Sequence, residues 1–354
     1  MTGPPGTQPP LGGAATGNAR PGPGPRIVAV GTRVEASQPD QPELRLDAVQ
    51  RLTREHQAEI DRLAEAARAA DGLSPFGEHK WLRLVRGDDR CAALLLWQGE
   101  ELVGAAHCDA YHVGPASGAC RLTAELVVHP AYRGRGLGQR LMAGAVDLAR
   151  DEWADHLHLW AYGNLPRARQ LAEAFEFRPE RVLLQYALPA SRLPESSALP
   201  RDVRLRPFEP ARDASDWLAM HNRVFAQHPE QGTWEPADLE TRREQPWFDS
   251  RDLLLAEDTA TRQLVGFCWV KIPRDEALPG EIYIIGVDPA ARGRGFGRAL
   301  TQAGLAHIRA RGRPGAMLYV EADNQAAIHL YETLGFERQA EHVCYSRRLR
   351  PPAA

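Results

Sequence analysis

One glycine-rich segment occurs twice in this chain, at the same place in a longer repeat. Residues 133–138 read RGRGLG and residues 292–297 read RGRGFG, a distance of 159 residues. A short apolar run, 126–128 or 282–287, precedes each copy and is typical of a buried strand. Apolar residues at helical spacing follow each copy. The segment therefore predicts a strand, a loop and a helix in each half of the chain.

The repeat extends to both sides of the glycine loop. Upstream, residues 94–104 and 253–266 each have the pattern of a β-hairpin. Downstream, residues 157–160 and 316–319 each have the pattern of a strand, and a second helix follows. This order of elements occurs twice and predicts two α+β domains. A length of 354 residues fits two such domains.

The borders of the two predicted domains follow from composition. Residues 1–25 are rich in Gly and Pro and can bury little apolar surface, so we predict a disordered tail. Prolines and serines indicate a linker over residues 188–200. The two domains are then residues 26–187 and 201–350. In the first domain, Pro166 is expected to begin the last helix.

The glycine loops have the chemistry of a pyrophosphate site. Glycine lets the backbone approach a ligand closely, and the first N–H groups of the following helix lack intrahelical partners. Those N–H groups, the positive helix end and the loop arginines favour a pyrophosphate. A P-loop needs Lys and Ser or Thr after its last glycine, where this chain has Gln139 and Arg298. The GxGxG spacing behind a proline also differs from the dinucleotide fingerprint.

Composition and charge exclude several classes of function. The formal net charge of −3 provides no basic field for nucleic acid. The cysteines have no CxxC spacing and the histidines no HEXXH spacing, so we predict neither disulfides nor a metal, and we expect a cytoplasmic protein. We also predict no membrane span, because no apolar run reaches roughly 18 residues, and no secretory signal, because the N-terminus lacks a charged region followed by an apolar stretch.

Two motifs resemble those of the GCN5-related N-acetyltransferases. The R-x-x-G-x-G pattern at 292–297 and at 133–138 is similar to the acetyl-CoA pyrophosphate loop of that family. Residues 324–336 resemble its second signature, in which an Asn and then a Tyr follow the fifth strand. The resemblance implies two tandem domains, each with a central mixed, mostly antiparallel sheet flanked by helices. It also implies acetyl-CoA as the co-substrate.

The resemblance assigns acetyl-CoA contacts to both halves. In the first half they run from the end of a strand across the glycine loop: Leu126, Val127, Val128, Gly134, Arg135, Gly136, Leu137, Gly138 and Gln139. In the second half they also include the start of the next helix: Ile285, Gly286, Val287, Arg292, Gly293, Arg294, Gly295, Phe296, Gly297, Arg298, Asn324, Gln325, Ala326, Ala327, Ile328 and His329.

Four further segments together resemble the mycothiol synthase family: residues 71–78, 228–232, 280–287 and 318–324. That family acetylates the cysteinyl amine of a cysteine–glucosamine–inositol conjugate, the last step of mycothiol biosynthesis. The resemblance implies a small-molecule thiol-sugar acceptor, and we expect the chain to work as a monomer. It assigns the acceptor contacts to five side chains, Glu78, Glu230, Lys271, Glu281 and Tyr319. An acceptor with an ammonium and many hydroxyls suits such groups.

The same resemblance assigns the chemistry to the second half. Glu281 is the expected general base, the Val287 N–H the expected oxyanion donor, and Tyr331 the acid that protonates the coenzyme A thiolate. Subtraction of 159 places Leu122 and Ala172 at the positions of Glu281 and Tyr331 in the first half. We therefore predict that the N-terminal half is able to hold acetyl-CoA and does not transfer acetyl.

Other functions stay compatible with these residues. A tandem acetyltransferase could act on a protein N-terminus or on another small amine such as an aminoglycoside. A non-catalytic acyl-CoA sensor could bind through both loops. Such a sensor would have no need of Glu281 and Tyr331, which argues against it.

Overall fold

The computed structural model describes residues 31–34, 43–112, 120–197, 200–228, 231–232 and 234–349. The predicted tail over residues 1–25 lies outside these ranges. For residues 31–34, 78–80, 82 and 112, the structure describes the backbone alone. The described residues form thirteen strands in one continuous sheet and eight α-helices. None of the helices in this part of the chain is both long and apolar enough to cross a membrane.

Strands and helices have the following bounds. The strands of the first half are β1 (Gly31–Val34), β2 (Leu44–Val49), β3 (Cys91–Gln98), β4 (Glu101–His112), β5 (Cys120–Val128), β6 (His156–Ala161) and β7 (Arg178–Pro189). Its helices are α1 (Arg54–Asp71), α2 (Glu78–Arg86), α3 (Leu137–Asp151) and α4 (Pro166–Ala174). The strands of the second half are β8 (Val203–Pro207), β9 (Leu253–Asp258), β10 (Leu264–Lys271), β11 (Gly280–Val287), β12 (Gly315–Glu321) and β13 (Glu337–Arg348). Its helices are α5 (Pro210–Val224), α6 (Pro236–Arg243), α7 (Phe296–Ala310) and α8 (Gln325–Thr333).

Two local predictions can be compared with these bounds. Pro166 begins α4, as its tolerance in a first helical turn predicts. Residues 188 and 189, which composition assigns to the linker, are the last two residues of β7. The proline at 189 is compatible with a strand end, where its missing N–H breaks no ladder bond.

The order of strands in the sheet is β1-β2-β3-β4-β5-β6-β13-β7-β12-β11-β10-β9-β8. Neighbours run antiparallel except for two pairs, β5 with β6 and β11 with β12, which are parallel. A parallel pair needs a crossover connection, and α3 and α7 provide it in the two halves. The predicted α+β class, with a mixed and mostly antiparallel sheet flanked by helices, is confirmed.

The last strand of each half is exchanged between the halves. β7 pairs with β12 of the second half, from Gly315–Pro189 to Glu321–Leu183. β13 pairs with β6 of the first half, from Val343–Ala161 to Arg348–His156. The two exchanged strands also pair with each other and join the halves into one sheet.

Each hydrophobic core is completed by the strand that comes from the other half. Val343 and Tyr345 of β13 are buried in the core that α3 covers. Leu184 and Leu188 of β7 are buried in the core that α7 covers. Burial of a leucine or valine side chain contributes about 1.5–3 kcal/mol, so neither core is complete without its exchanged strand.

A leucine in β7 should therefore stabilise the second core although it belongs to the first half of the chain. We expect Leu188→Ala to lower the free energy of unfolding by about 2–5 kcal/mol, because the side chain is 1% exposed and leaves a cavity. Hydrogen exchange should accelerate more in α7 than in α3, which mass spectrometry of the peptides can measure.

Leu141→Ala is the matched control, since Leu141 is 0% exposed and lies on α3 in the first core. Its effect on hydrogen exchange should be the reverse, with α3 more affected than α7. Equal acceleration of both helices in both variants would contradict this assignment of strands to cores.

Candidate active site

Each parallel pair of strands is joined over a short stretch. β11 and β12 pair from Gly280–Ala316 to Ile282–Leu318. β5 and β6 pair from Arg121–His156 to Ala124–Leu159. Beyond these residues, the described chain has no ladder bonds between the carboxyl ends of the paired strands. In the first half, the space between β5 and β6 is part of a cleft of about 1050 Å³, a size typical of a ligand site.

A backbone N–H group points into each of these gaps. The Asp288 N–H donates to the Val265 carbonyl at 3.0 Å, on the β10 side of β11. Successive N–H groups of a strand point to opposite edges, so the Val287 N–H points toward β12. In the first half, the His129 N–H donates to the Val103 carbonyl at 2.9 Å, and the Val128 N–H points into the cleft. A donor in such a gap can bind a ligand oxygen.

The two glycine loops share one backbone conformation. The first two glycines of each loop, Gly134 and Gly136 or Gly293 and Gly295, have φ between 78° and 80°. No heavy atom lies within 4 Å of the position of a Cβ on Gly293 or Gly295, so the left-handed backbone is what requires glycine. Gly136 and Gly295 are the N-caps of α3 and α7, and neither helix has a side-chain cap. The first N–H groups of each helix thus face a position suited to a pyrophosphate.

The first arginine of each loop differs between the halves. The Arg133 guanidinium donates two bonds of 2.7 Å to the Asp71 carboxylate and one of 3.0 Å to the Val128 carbonyl. Arg292, the equivalent residue, is exposed. The second loop therefore offers an accessible guanidinium to a pyrophosphate, whereas the first holds its guanidinium against Asp71.

The other predicted arginine contacts are oriented by neighbouring groups. Arg135 lies over the Tyr132 ring at 5.2 Å. Arg294 pairs with Asp202 and lies over the Phe296 ring at 4.7 Å, and Arg298 donates to the Thr333 hydroxyl at 2.5 Å. All three side chains are exposed.

The start of the last helix also differs between the halves. Asn324 is the N-cap of α8, where its side-chain oxygen accepts from the Ala327 N–H at 3.2 Å. Residues 325–329, the other predicted contacts of this segment, form the first turns of α8. Leu165 is the N-cap of α4 and has no side-chain cap, and Asn164, one residue earlier, binds Glu341 and Tyr345 of β13 instead. The start of α4 therefore lacks the side-chain cap that Asn324 gives α8.

The cleft of the first half brings the predicted acetyl-CoA contacts together. The residues predicted there line it, with the exception of Arg135: Leu126, Val127, Val128, Gly134, Gly136, Leu137, Gly138 and Gln139. The opposite wall consists of β6 residues 159–161, Tyr162 and residues of α4. The cleft therefore extends from the glycine loop to the gap between the parallel strands.

The predicted base and acid lie on different elements of the second half. Glu281 is partly exposed in β11, directly opposite Lys271 of β10 and Met317 of β12. Tyr331 lies on α8, is 6% exposed and packs edge-on against Phe336 with 5.8 Å between ring centroids. Burial raises the pKa of Tyr331 to about 12, so the phenol keeps its proton at neutral pH.

A β-bulge corrects the expected counterpart of Glu281. Trp269 is opposite Ile284 and Val270 is opposite Ile282, so Tyr283 is an extra residue in β11. β5 pairs with β4 without an extra residue. Residues before the bulge in β11 therefore correspond to residues of β5 that lie one position later than the constant offset of 159 predicts. Thr123, not Leu122, occupies the position of Glu281.

Pairing and packing both support this correction. Thr123 is opposite His158, as Glu281 is opposite Met317, 159 residues later. Leu122 faces the core covered by α3, a face that Glu281 does not share. The first half thus lacks a carboxylate at the position of the base, and Ala172 of α4 replaces Tyr331.

The described acceptor candidates share one accessible region. The Lys271 amine lies over the Trp247 ring at 5.2 Å and the Tyr283 ring at 5.9 Å. Tyr319 is 40% exposed and lies two residues beyond Met317, on the same face of β12. Glu281, Lys271 and Tyr319 therefore surround the start of the gap between β11 and β12. Of the remaining candidates, Glu230 and the side chain of Glu78 lie outside the described part of the chain.

No role was predicted from the sequence for three residues that are linked by contacts, Glu125, Tyr162 and His342. Glu125 is 0% exposed in β5, where it accepts from the Tyr162 hydroxyl at 2.6 Å and from the Gly77 N–H at 2.9 Å. His342 of β13 accepts from the Gly163 N–H at 2.9 Å. A glutamate inside the apolar run of β5 is a signal that could have drawn attention to Glu125.

Comparison with protein families agrees with this geometry. The model described as "Acetyltransferase (GNAT) family" matches residues 55–177 and 217–336. The fold resembles a GCN5-related N-acetyltransferase from Sphaerobacter thermophilus, with a TM-score of 0.65 and 24% identity over 89% of this chain and 98% of that one. It also resembles a tandem GNAT protein from the clavulanic acid biosynthesis pathway, with a TM-score of 0.67 and 19% identity over 87% of this chain and 100% of that one. The chain has the double fold of the acetyl-CoA-dependent N-acetyltransferases.

Sequence relatives define the family more narrowly. The chain is 46% identical to a mycothiol acetyltransferase of Thermobispora bispora over 290 residues, 80% of this chain and 94% of the relative. It is 44% identical to one of Salinispora arenicola over 319 residues, 89% and 100% of the two chains. The chain belongs to the mycothiol acetyltransferase family of GNAT proteins.

The different environments of the loop arginines predict different effects of their removal. Arg133→Ala should lower the free energy of unfolding by about 1.5–3 kcal/mol, because it leaves the Asp71 carboxylate without its bidentate partner. Arg292→Ala should change it by less than about 0.5 kcal/mol, because the side chain is exposed. Urea denaturation of both variants measures these differences.

Kinetics should show the opposite order. Arg292→Ala should raise the KM for acetyl-CoA about tenfold, through loss of a charged contact to pyrophosphate. An unchanged KM, or equal losses of stability in the two variants, would contradict the distinction between the loops.

Proposed function

We propose that this chain transfers acetyl from acetyl-CoA to the cysteinyl amine of a cysteine–glucosamine–inositol conjugate, and that the second half performs the reaction. The observation that carries the proposal is the placement of Glu281 and Lys271 directly opposite each other where β11 and β12 separate. A carboxylate and an amine at the start of the gap, with an inward-pointing backbone N–H at the other end of the same strand, are groups that an acyl transfer can use. The family relatives, each named a mycothiol acetyltransferase, support this acceptor.

The reaction proceeds through one tetrahedral intermediate. Glu281 takes a proton from the acceptor ammonium, directly or through water, because only the free amine attacks the thioester carbon. The amine nitrogen forms the new bond, and the oxyanion that develops accepts a hydrogen bond from the Val287 N–H. The amine nitrogen of the intermediate loses its second proton to solvent, the carbon–sulfur bond breaks, and the thiolate takes the proton of the Tyr331 phenol, which solvent then reprotonates. An α-amine of pKa about 8 needs only a weak base at neutral pH.

Acetyl-CoA is held by the groups around the second glycine loop. The N–H groups of the first turn of α7 and the accessible Arg292 face the pyrophosphate. Residues 285–287 provide the strand edge along which the pantetheine arm lies. The start of α8, from Asn324 onward, is assigned the other side of the ligand, and Tyr331 of the same helix is assigned to the sulfur.

The acceptor site combines one cation with several carboxylates and a tyrosine. Lys271 is positioned by the rings of Trp247 and Tyr283 and offers donors to sugar hydroxyls. Tyr319 offers a ring and a hydroxyl to the acceptor. Glu78 and Glu230 complete the site by resemblance to the family, and a carboxylate pair suits the acceptor ammonium.

The first half holds acetyl-CoA in its cleft without transferring acetyl. The cleft contains the backbone donors and the glycine loop that such a ligand needs. Thr123 and Ala172 replace the base and the acid, so bound acetyl-CoA meets no proton acceptor in the position of Glu281. The first half consequently has a structural or regulatory task.

The chain works as a monomer in the cytoplasm. Exchange of β7 and β13 joins two acetyltransferase domains, residues 26–187 and 201–350, within one chain, so neither needs a partner molecule to complete its sheet. All five cysteines are buried free thiols, as suits a reducing compartment.

Removal of the carboxylate charge tests the base. Glu281→Gln should lower kcat about 10²- to 10⁴-fold and leave the KM for acetyl-CoA within about twofold, because the base acts on the acceptor. The measurement is coenzyme A release in the presence of the cysteinyl-glucosaminyl-inositol acceptor. Glu276→Gln is the control, since Glu276 is an exposed residue of the β10–β11 loop in the same half.

Two outcomes would count against the proposal. Retention of more than about a tenth of the activity in Glu281→Gln would exclude Glu281 as the base. Acetylation of a peptide amine by the wild type, with no turnover of the conjugate, would keep the fold and the donor but discard the acceptor.

The raised pKa of Tyr331 predicts a pH profile. An acid must be protonated to act, and a pKa of about 12 keeps the phenol protonated through pH 10. We expect kcat not to fall between pH 8 and 10, whereas a tyrosine with an ordinary pKa of about 10 would cost half of the activity by pH 10. Stopped assays of kcat against pH measure this difference.

Tyr331→Phe should lower kcat about 10²-fold at all pH values. Tyr186→Phe is the matched control, because Tyr186 is 3% exposed in the same core and donates to Glu332 at 3.0 Å. It should lower kcat by less than about threefold. Similar losses in the two variants would show that the core, and not the Tyr331 hydroxyl, determines the rate.

A further inference from the structure

Tyr162 lies at the junction of the two halves. It follows β6 directly and forms part of the wall of the first-half cleft. Its side chain is partly exposed and has contacts on two sides, one through the hydroxyl and one through the ring. Each contact leads to a segment that carries an acceptor candidate of the second-half site.

The hydroxyl leads to the start of α2. It donates to Glu125 at 2.6 Å, and the other oxygen of Glu125 accepts from the Gly77 N–H at 2.9 Å. Gly77 is the N-cap of α2, and Glu78 is the first residue of that helix. A Cβ on Gly77 would lie 2.5 Å from the Tyr162 hydroxyl, which shows how tightly the two are packed. The Tyr162–Glu125 pair therefore fixes the point at which α2 begins.

The ring leads to Tyr319. Tyr162 packs edge-on against the His342 ring with 5.3 Å between centroids, and His342 packs against Tyr319 with 5.5 Å. His342 is 2% exposed and belongs to β13, the strand exchanged into the first half. Burial lowers the pKa of His342 to about 4, so the ring is neutral and the contact is one of packing.

A second residue of the cleft wall has a parallel connection. The Arg181 guanidinium of β7 lies over the Trp160 ring at 5.4 Å and pairs with Glu321 of β12 at 2.5 Å. Trp160 lines the cleft, and Glu321 lies two residues beyond Tyr319. The wall formed by β6 is thus connected to β12 at two adjacent points.

We propose that Tyr162 is a positioning residue that couples occupancy of the first-half cleft to the acceptor site of the second half. A ligand of the coenzyme A class in the cleft packs against Tyr162 and holds it in the orientation that binds Glu125 and His342. The start of α2 and the side chain of Tyr319 are then fixed before the acceptor arrives. This inference rests on the proposed function, because it is that proposal which assigns Glu78 and Tyr319 to the acceptor.

Coupling of this kind affects acceptor binding more than the chemical step. Tyr162 is connected through Glu125 and His342 to segments that carry acceptor candidates, whereas Tyr331 packs against Phe336 on a different element. When the groups of a site are ordered before the ligand arrives, binding loses less conformational entropy and the affinity is higher. Loss of the coupling therefore raises the KM for the acceptor and leaves kcat nearly constant.

The first test separates KM from kcat. Tyr162→Phe keeps the ring contact with His342 and removes the hydroxyl bond to Glu125, a partly buried hydrogen bond whose loss should raise the acceptor KM about tenfold. The kcat and the KM for acetyl-CoA should stay within about twofold. Tyr111→Phe is the matched control, because it removes a hydroxyl bond to His158 in the same half, away from the cleft lining, and should leave all three constants unchanged.

The second test does not depend on catalysis. In the full chain with Gly295→Asp, the second glycine loop has a strained backbone and an added negative charge, so coenzyme A is directed to the first-half cleft. Hydrogen exchange with and without coenzyme A should slow in α4, in residues 78–86 and in residues 319–324. With Tyr162→Phe added, slowing should persist in α4 and decrease at least threefold in residues 78–86.

The outcomes distinguish the two proposals. Absence of slowing in α4, slowing in residues 78–86 that Tyr162→Phe does not reduce, or an unchanged acceptor KM in that variant would each overturn the coupling. If the wild type does not acetylate the conjugate but the exchange pattern is as expected, the proposed acceptor fails and the coupling stands on the exchange data.

Discussion

The architecture depends on the pairing of β7 with β13 at the centre of the sheet. Each strand follows one half of the chain in sequence and completes the core of the other half in space. Backbone groups of both strands are satisfied on two sides, and leucine and valine side chains that each core needs come with them. The two halves therefore depend on each other for their cores and differ in this from two independent domains in series.

The two sites share a frame and differ in a few side chains. Both have a parallel strand pair that separates, an inward-pointing backbone donor and a glycine loop with the same left-handed φ angles. The frame alone suits a pyrophosphate ligand, because its donors belong to the backbone. The proposed chemistry needs Glu281 and Tyr331 in addition, and the first half has Thr123 and Ala172 in their places. The two halves therefore differ in the proposed catalytic side chains and not in the backbone frame.

The sequence predicts the fold class and the glycine loops, because both are local patterns that repeat. It predicts neither the strand exchange nor the network around Tyr162, since these depend on contacts between residues about 180 positions apart, such as Gly163 and His342. The counterpart of Glu281 was wrong by one residue, because a constant offset cannot detect an inserted residue at Tyr283. The family resemblance supplied the roles of Glu281 and Tyr331, which spacing alone would leave undetermined.

The bulge at Tyr283 has a consequence for where a carboxylate could arise in the first half. An extra residue reverses which side of the strand each preceding side chain faces, so Glu281 is brought to the accessible side while Ile282 stays in the core. A carboxylate introduced at Leu122 would enter an apolar interior, whereas position 123 is the one that shares the strand register of Glu281. A search for a new carboxylate in the first half would therefore start at position 123, and sequence alignment without coordinates would start it at the wrong residue.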